Sequence, residues 1–127
     1  MASGSENHMR LYKEIDVALD PIPYGGATST CEALWMGVPV VCMAGEGMVG
    51  RLSASVLMGA NCGEWIGYSA EDYVAIAIKL ANEGKRNITK REELRQKLTD
   101  SDLNNAYRLC RELERIYKEE RHAIMDI

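Results

Sequence analysis

The chain has 127 residues, 46% hydrophobic and 27% charged, with a net charge of −4. That length suits one domain or one lobe of something larger, able to bury roughly two thirds of its unfolded surface. Disorder, collagen-like repeats, a membrane-spanning helix (no apolar run nears the roughly 18 residues required) and a globally basic nucleic-acid footprint are all excluded.

Residues 1–9 are small and polar, and they lack the apolar core of a signal peptide. They read as a tag or disordered leader, with His8-Met9 resembling a cloning junction, and residues 10–127 as the folded lobe. Ile15 to Leu19 is short, apolar and partly β-branched, which predicts a buried strand stopped by Pro21. Pro21 to Gly26 holds two prolines and two glycines and predicts a loop. Ser29 and Glu32 stand at capping-box spacing, predicting a helix that ends at Gly37. Val38 to Met43 predicts a second strand, Ala44 to Gly50 a glycine-rich loop, and Arg51 to Met58 a helix. Cys62 to Ile66 predicts a short third strand. Ser69 opens an acidic helix start, after which Tyr73, Ile76, Ala77 and Leu80 recur at helical spacing. The basic run Lys85 to Arg91 reads as a solvated helix face. Helices are expected from about Lys90 to Leu98 and from Leu103 to beyond Ile116. The second carries Tyr107, Cys110, Leu113 and Tyr117 on one stripe.

Strands alternating with helices imply a parallel sheet with crossover helices. The fold class is therefore α/β, a Rossmann-like half with a helical C-terminal tail. Three strands are few for a nucleotide-binding lobe, so a C-terminal piece of a longer protein is expected. Cys31, Cys42, Cys62 and Cys110 form no CxxC pair, which suits reduced thiols in a cytoplasmic protein. His8 and His122 lack partners at ligand spacing, so no metal site is expected.

The densest constellation lies between the first strand and the first strong helix. A strand ends, Gly25-Gly26 turn the chain, and a helix begins among Thr28, Ser29 and Thr30. Free amides at a helix N-terminus, close backbone approach at Gly25 and Gly26, and three hydroxyls suit a phosphate. Such ligands sit beyond the carboxyl ends of parallel strands. A plain helix cap after a tight turn has the same pattern, and the residues alone leave both readings open. Glu32 is either a capping carboxylate or an acceptor for ribose hydroxyls. Arg51 is either an anion contact or a solvated cation.

These residues carry a resemblance. Tyr12 to Pro21, then Gly25 to Thr30, then the run Cys31-Glu32-Ala33-Leu34-Trp35-Met36-Gly37-Val38-Pro39, continuing through Arg51 to Ser55, Glu71 to Tyr73 and Leu113 to Tyr117, are similar to one family. It is the tetratricopeptide-fused O-linked N-acetylglucosamine transferases, with their bacterial homologues and SPINDLY-like branch. The resemblance implies the C-terminal lobe of a GT-B glycosyltransferase. The parent would transfer N-acetylglucosamine from UDP-GlcNAc to protein Ser or Thr, with no metal cofactor. It implies that Ala27, Thr28 and Ser29 grip the donor diphosphate, that Glu32 lies near the ribose, and that His8 stands where the family has a histidine near the base pocket. Many members have His-Thr-Thr where this chain has Ala27-Thr28-Ser29, so one side-chain contact is lost. The acceptor site, the N-terminal catalytic lobe and the tetratricopeptide repeats lie outside the chain, so little turnover is expected and the Gly25 to Glu32 edge should be open. The rival readings are another GT-B enzyme, such as one using GDP-fucose, and a non-catalytic nucleotide- or protein-binding module.

Overall fold

The three strands lie parallel in one sheet, as the alternating pattern predicts, and their order across it follows the chain. The computed structural model describes residues 5–85 and 87–125; residues 1–4 of the expected leader, Arg86 in the basic run and residues 126–127 lie outside the described residues. Strands β1 (Ala18–Leu19), β2 (Val40–Met43) and β3 (Ile66–Gly67) pair in the register Ala18 with Val40 and Cys42 with Ile66. Six helices accompany them among the described residues: α1 (Ser5–Leu11), α2 (Ala27–Trp35), α3 (Leu52–Gly59), α4 (Ala70–Asn82), α5 (Ile88–Thr99) and α6 (Ala106–Met125). Helix α1 crosses the boundary drawn from the sequence after residue 9. The third strand starts four residues later than expected, because Gly63–Trp65 winds into a 3₁₀ turn first.

Strand alternation divides the core. Val40 and Cys42 join Leu34 of α2, Leu57 of α3 and Leu94 of α5 in one buried cluster. Val41 is fully buried outside that cluster, and the period-two geometry of a strand turns it to the opposite face. Helix α4 packs against β2 and β3. Each fully buried Leu or Val contributes about 1.5–3 kcal/mol, so β2, hidden on both faces, anchors the whole fold.

The helix ends explain the chain's turns. Helix α2 stops where Gly37 adopts φ +77. The Gly37 amide then bonds to the Leu34 carbonyl and the Val38 amide to that of Ala33, which closes the last turn and launches β2. Helix α3 ends the same way with Asn61 at φ 59 in the left-handed position. The Ser69 hydroxyl caps α4 by accepting the Asp72 amide at 3.1 Å, and Asn87 caps α5 through the Lys90 amide at 2.9 Å. The stripe on α6 is present in sequence and unburied in structure. Tyr107 is 74% exposed and Tyr117 68%, so no described residue covers this helix.

Candidate functional site

The site is built on the carboxyl ends of β1 and β2. Strand β1 runs into Asp20, whose buried carboxylate accepts the Gly26 amide at 3.0 Å. The loop is thereby folded back over the strand end. A β-carbon on Gly25 would stand 2.5 Å from the Asp20 carboxylate and 2.8 Å from the Ser53 hydroxyl. Only glycine lets the chain pass there. Tyr73 of α4 donates its hydroxyl to the Asp20 carbonyl at 3.0 Å, pinning the strand end from the far side of the sheet.

Helix α2 begins directly after this turn. Gly26 is its extended cap residue, and no side chain caps it. The Ser29–Glu32 capping box is therefore a correction: the cap is Gly26 and the helix starts three residues earlier, so Ser29 falls within the first turn and points out. The Thr30 amide is the first to bond back, to the Gly26 carbonyl at 2.9 Å. The preceding first-turn amides, those of Ala27, Thr28 and Ser29, have no partner within the helix and carry its positive dipole end. Thr28 and Ser29 are exposed beside them, while Gly26 and Ala27 are half-buried.

Thr30 faces inward. Its buried hydroxyl donates to the Gly26 carbonyl at 2.7 Å and lies 3.2 Å from Ser53 Oγ. It props the loop from beneath, and the open edge consists of Thr28, Ser29 and Cys31.

Glu32 lies one turn further along α2 and is half-buried. Its carboxylate meets His8 Nε2 at 3.1 Å and the Tyr12 hydroxyl at 3.4 Å. The His8 and Tyr12 rings stand edge to face with centroids 5.8 Å apart. Two site residues separated by 24 positions are thus brought together. Burial, reinforced by the Glu32 charge, raises the Tyr12 hydroxyl above its ordinary pKa and raises the Cys31 thiol likewise.

A cavity of about 210 Å³ opens between the two glycine loops, bounded by Asp20, Tyr24, Gly25, Met43, Gly45 and Gly50. Gly45 and Gly50 close the second loop on itself through an amide-to-carbonyl bond of 2.8 Å. Arg51 does not line this cavity. It is exposed and borders a separate hollow with Ala44, Ser55 and Tyr68. Among the described residues no three His, Cys, Asp or Glu side chains converge on a point that could hold a metal ion. No described helix is long and apolar enough to cross a membrane.

The other end of α2 carries two arginines. Arg95 donates to the Trp35 carbonyl at 2.6 Å and stacks 5.1 Å from the Trp35 ring centre. Arg91 donates to the Met36 carbonyl at 3.1 Å. Cations at a helix C-terminus complement the dipole whose positive end lies at the candidate site. The solvated reading of the Lys85 to Arg91 run fails at Arg91, whose two Nη atoms donate to four backbone carbonyls. Sequence reasoning also assigned no role to Asp20, Tyr12 or Ser53. An acidic residue closing an apolar strand just before a Pro-Gly loop was the available signal for Asp20; Tyr12 and Ser53 had none.

The model of Glycosyl transferase family 41 matches residues 1–113. A SPINDLY protein of Hordeum vulgare, described as a probable UDP-N-acetylglucosamine–peptide N-acetylglucosaminyltransferase, is 33% identical over 122 residues, covering 96% of this chain and 13% of that protein. Its namesake from Oryza sativa subsp. japonica is 38% identical over 94 residues, 74% of this chain and 10% of its own length. Among solved structures, a mutant O-GlcNAc transferase of Thermobaculum terrenum superimposes with a TM-score of 0.75 at 36% identity, over 92% of this chain and 22% of that one.

Proposed function

This chain belongs to Glycosyl transferase family 41, and on that footing we propose that it is the nucleotide-sugar-binding lobe of a protein O-glycosyltransferase. The parent enzyme transfers N-acetylglucosamine from UDP-GlcNAc to Ser or Thr hydroxyls. The observation that carries this reading is the open N-terminus of α2. Its three unpaired amides lie beyond the carboxyl end of β1, one turn from the Glu32–His8 pair.

In this reading the donor diphosphate rests on the amides of Ala27, Thr28 and Ser29, with the Thr28 and Ser29 hydroxyls adding donors. Glu32 accepts hydrogen bonds from the ribose hydroxyls, and His8 with Tyr12 borders the nucleoside beside it. When the acceptor hydroxyl attacks the sugar's anomeric carbon, the bond from that carbon to the diphosphate oxygen breaks. The leaving UDP gains negative charge, which fixed backbone dipoles stabilise without reorganising and in place of a metal ion. Ala27 has no side-chain donor, so its share comes from the amide alone. The acceptor site, a second catalytic lobe and tetratricopeptide repeats belong to the remainder of the parent. The free thiols suit a cytoplasmic setting.

The test is titration of the chain with UDP, UDP-GlcNAc and GDP, followed through its amide resonances with and without EDTA. UDP should shift the Ala27 to Glu32 amides more strongly than GDP does, with no effect of EDTA and no turnover of UDP-GlcNAc on an acceptor peptide. Silence to millimolar UDP would sink the reading. Preference for GDP would move it to another donor.

A further inference from the structure

Among the described residues, Arg91 is the most heavily engaged side chain outside the site. Its guanidinium donates to four backbone carbonyls: Tyr12 at 3.0 Å, Met36 at 3.1 Å, Lys13 at 3.0 Å and Ile15 at 2.9 Å. Three of them belong to the short 3₁₀ turn, Tyr12–Glu14, and the residue that follows it. This segment joins α1 to β1. The fourth is the end of α2. One planar group thus ties three pieces of chain together, across 55 to 79 residues of sequence.

The placement of that guanidinium is itself constrained. A β-carbon on Gly37 would lie 2.5 Å from the Arg91 α-carbon, so α5 sits directly on the end of α2. The helix that delivers the arginine cannot drift without opening this contact. Helix α1, by contrast, runs without a break into the 3₁₀ turn that follows it. Its position over α2 depends on the turn, and the turn is held by Arg91.

We propose that Arg91 is a positioning residue for the nucleoside side of the site: by holding the Tyr12–Ile15 turn it sets α1 where His8 and Tyr12 reach Glu32. The ligand consequence rests on the donor-lobe reading above; the positional one stands without any ligand. Lysine cannot substitute. An ammonium is a point donor on a flexible stem, whereas the guanidinium presents a rigid fork of five N–H groups that serves four separated carbonyls at once.

Arg91→Lys in the full chain tests this, with Arg95→Lys as the control. Arg95 also caps α2 but makes no bond to residues 12–15. Without ligand, Arg91→Lys should abolish the nuclear Overhauser contacts between the His8 ring and the Glu32 side chain. It should also speed amide exchange through Leu11 to Ile15 at least tenfold, while Arg95→Lys leaves both unchanged. Wild-type contacts and exchange in Arg91→Lys would overturn the proposal. With UDP, Arg91→Lys and His8→Ala should each weaken binding about fivefold, and the double variant no further, because both remove the same contact. Multiplying losses would overturn it too. If wild type does not bind UDP, the donor reading falls while the unliganded comparison still decides Arg91. If Arg91→Lys does not fold, the wild-type guanidinium decides: its Nη protons should show hindered rotation, and free rotation would overturn the clamp.

Discussion

Gly25→Ala tests the loop's architecture at its tightest point. The added methyl would sit 2.5 Å from an Asp20 carboxylate oxygen and 2.8 Å from Ser53 Oγ. Ordinary contact begins near 3.4 Å, so the carboxylate must withdraw by about 1 Å or the loop must lift. Overpacking of this kind costs about 1–3 kcal/mol. Withdrawal also breaks the charged hydrogen bond to the Gly26 amide, worth about 1.5–3 kcal/mol. The two costs overlap, since the same movement relieves the clash and breaks the bond. Stiffening of the unfolded chain by alanine returns about 0.4–1 kcal/mol. The net expectation is a loss of about 2–3 kcal/mol, equivalent to a fall in Tm of roughly 10 °C at this size. Gly26→Ala is the internal control. Its methyl would approach only the Ser29 side chain, at 3.3 Å, and a hydroxyl can rotate aside. Its cost should stay below about 1 kcal/mol. Urea unfolding of both variants, with the Gly26 amide shift as a local probe, reads the difference. Equal stabilities for the two variants, or an unshifted Gly26 amide in Gly25→Ala, would refute the account.

Gly37→Ala should be harsher still, losing more than about 3 kcal/mol in urea titration, because it combines a left-handed backbone position with a methyl 2.5 Å from the Arg91 α-carbon. Ser69→Ala should cost about 1 kcal/mol through its lost cap, whereas Ser29→Ala, which caps nothing, should stay within about 0.5 kcal/mol and yet weaken UDP binding; matched melting curves and UDP titrations compare them. Cys42 and Cys62 should resist thiol reagents in the native state, since burial pushes each thiol up from its ordinary 9.0 to about 11. Because the folded chain holds these protons more tightly than the unfolded one, their contribution is complete below pH 9 and lost as pH rises towards about 11, which denaturation in alkaline buffers would reveal.

Local chemistry was enough for much of this protein. The alternation of short apolar runs with helical periods determined a parallel α/β sheet, because parallel neighbours need long crossovers. Gly37 marked a helix stop and Ser69 a helix start, since each acts on amides within a few residues. Gly25-Gly26 marked a tight turn at a strand end, Glu32 was singled out by its place one turn into the helix, and His8 through the family resemblance. What the tertiary structure alone decided concerns groups far apart in the chain. Ser29 and Glu32 fit a capping box by spacing, but Asp20 holds Gly26 as the helix cap and so shifts the start by three residues. Thr30 and Thr28 look alike in sequence; the helix phase buries one against Ser53 and leaves the other in solvent. Arg91 sits in a basic run that reads as solvated, and only packing of α5 on α2 brings four distant carbonyls within reach of its guanidinium. The stripe on α6 is fully legible in sequence, yet its exposure is not, because amphipathicity states that a face prefers cover and never which surface supplies it. Spacing along a chain encodes hydrogen bonds within a turn; pairings across 24 or 79 residues arise only when the core has closed and fixed where each backbone lies.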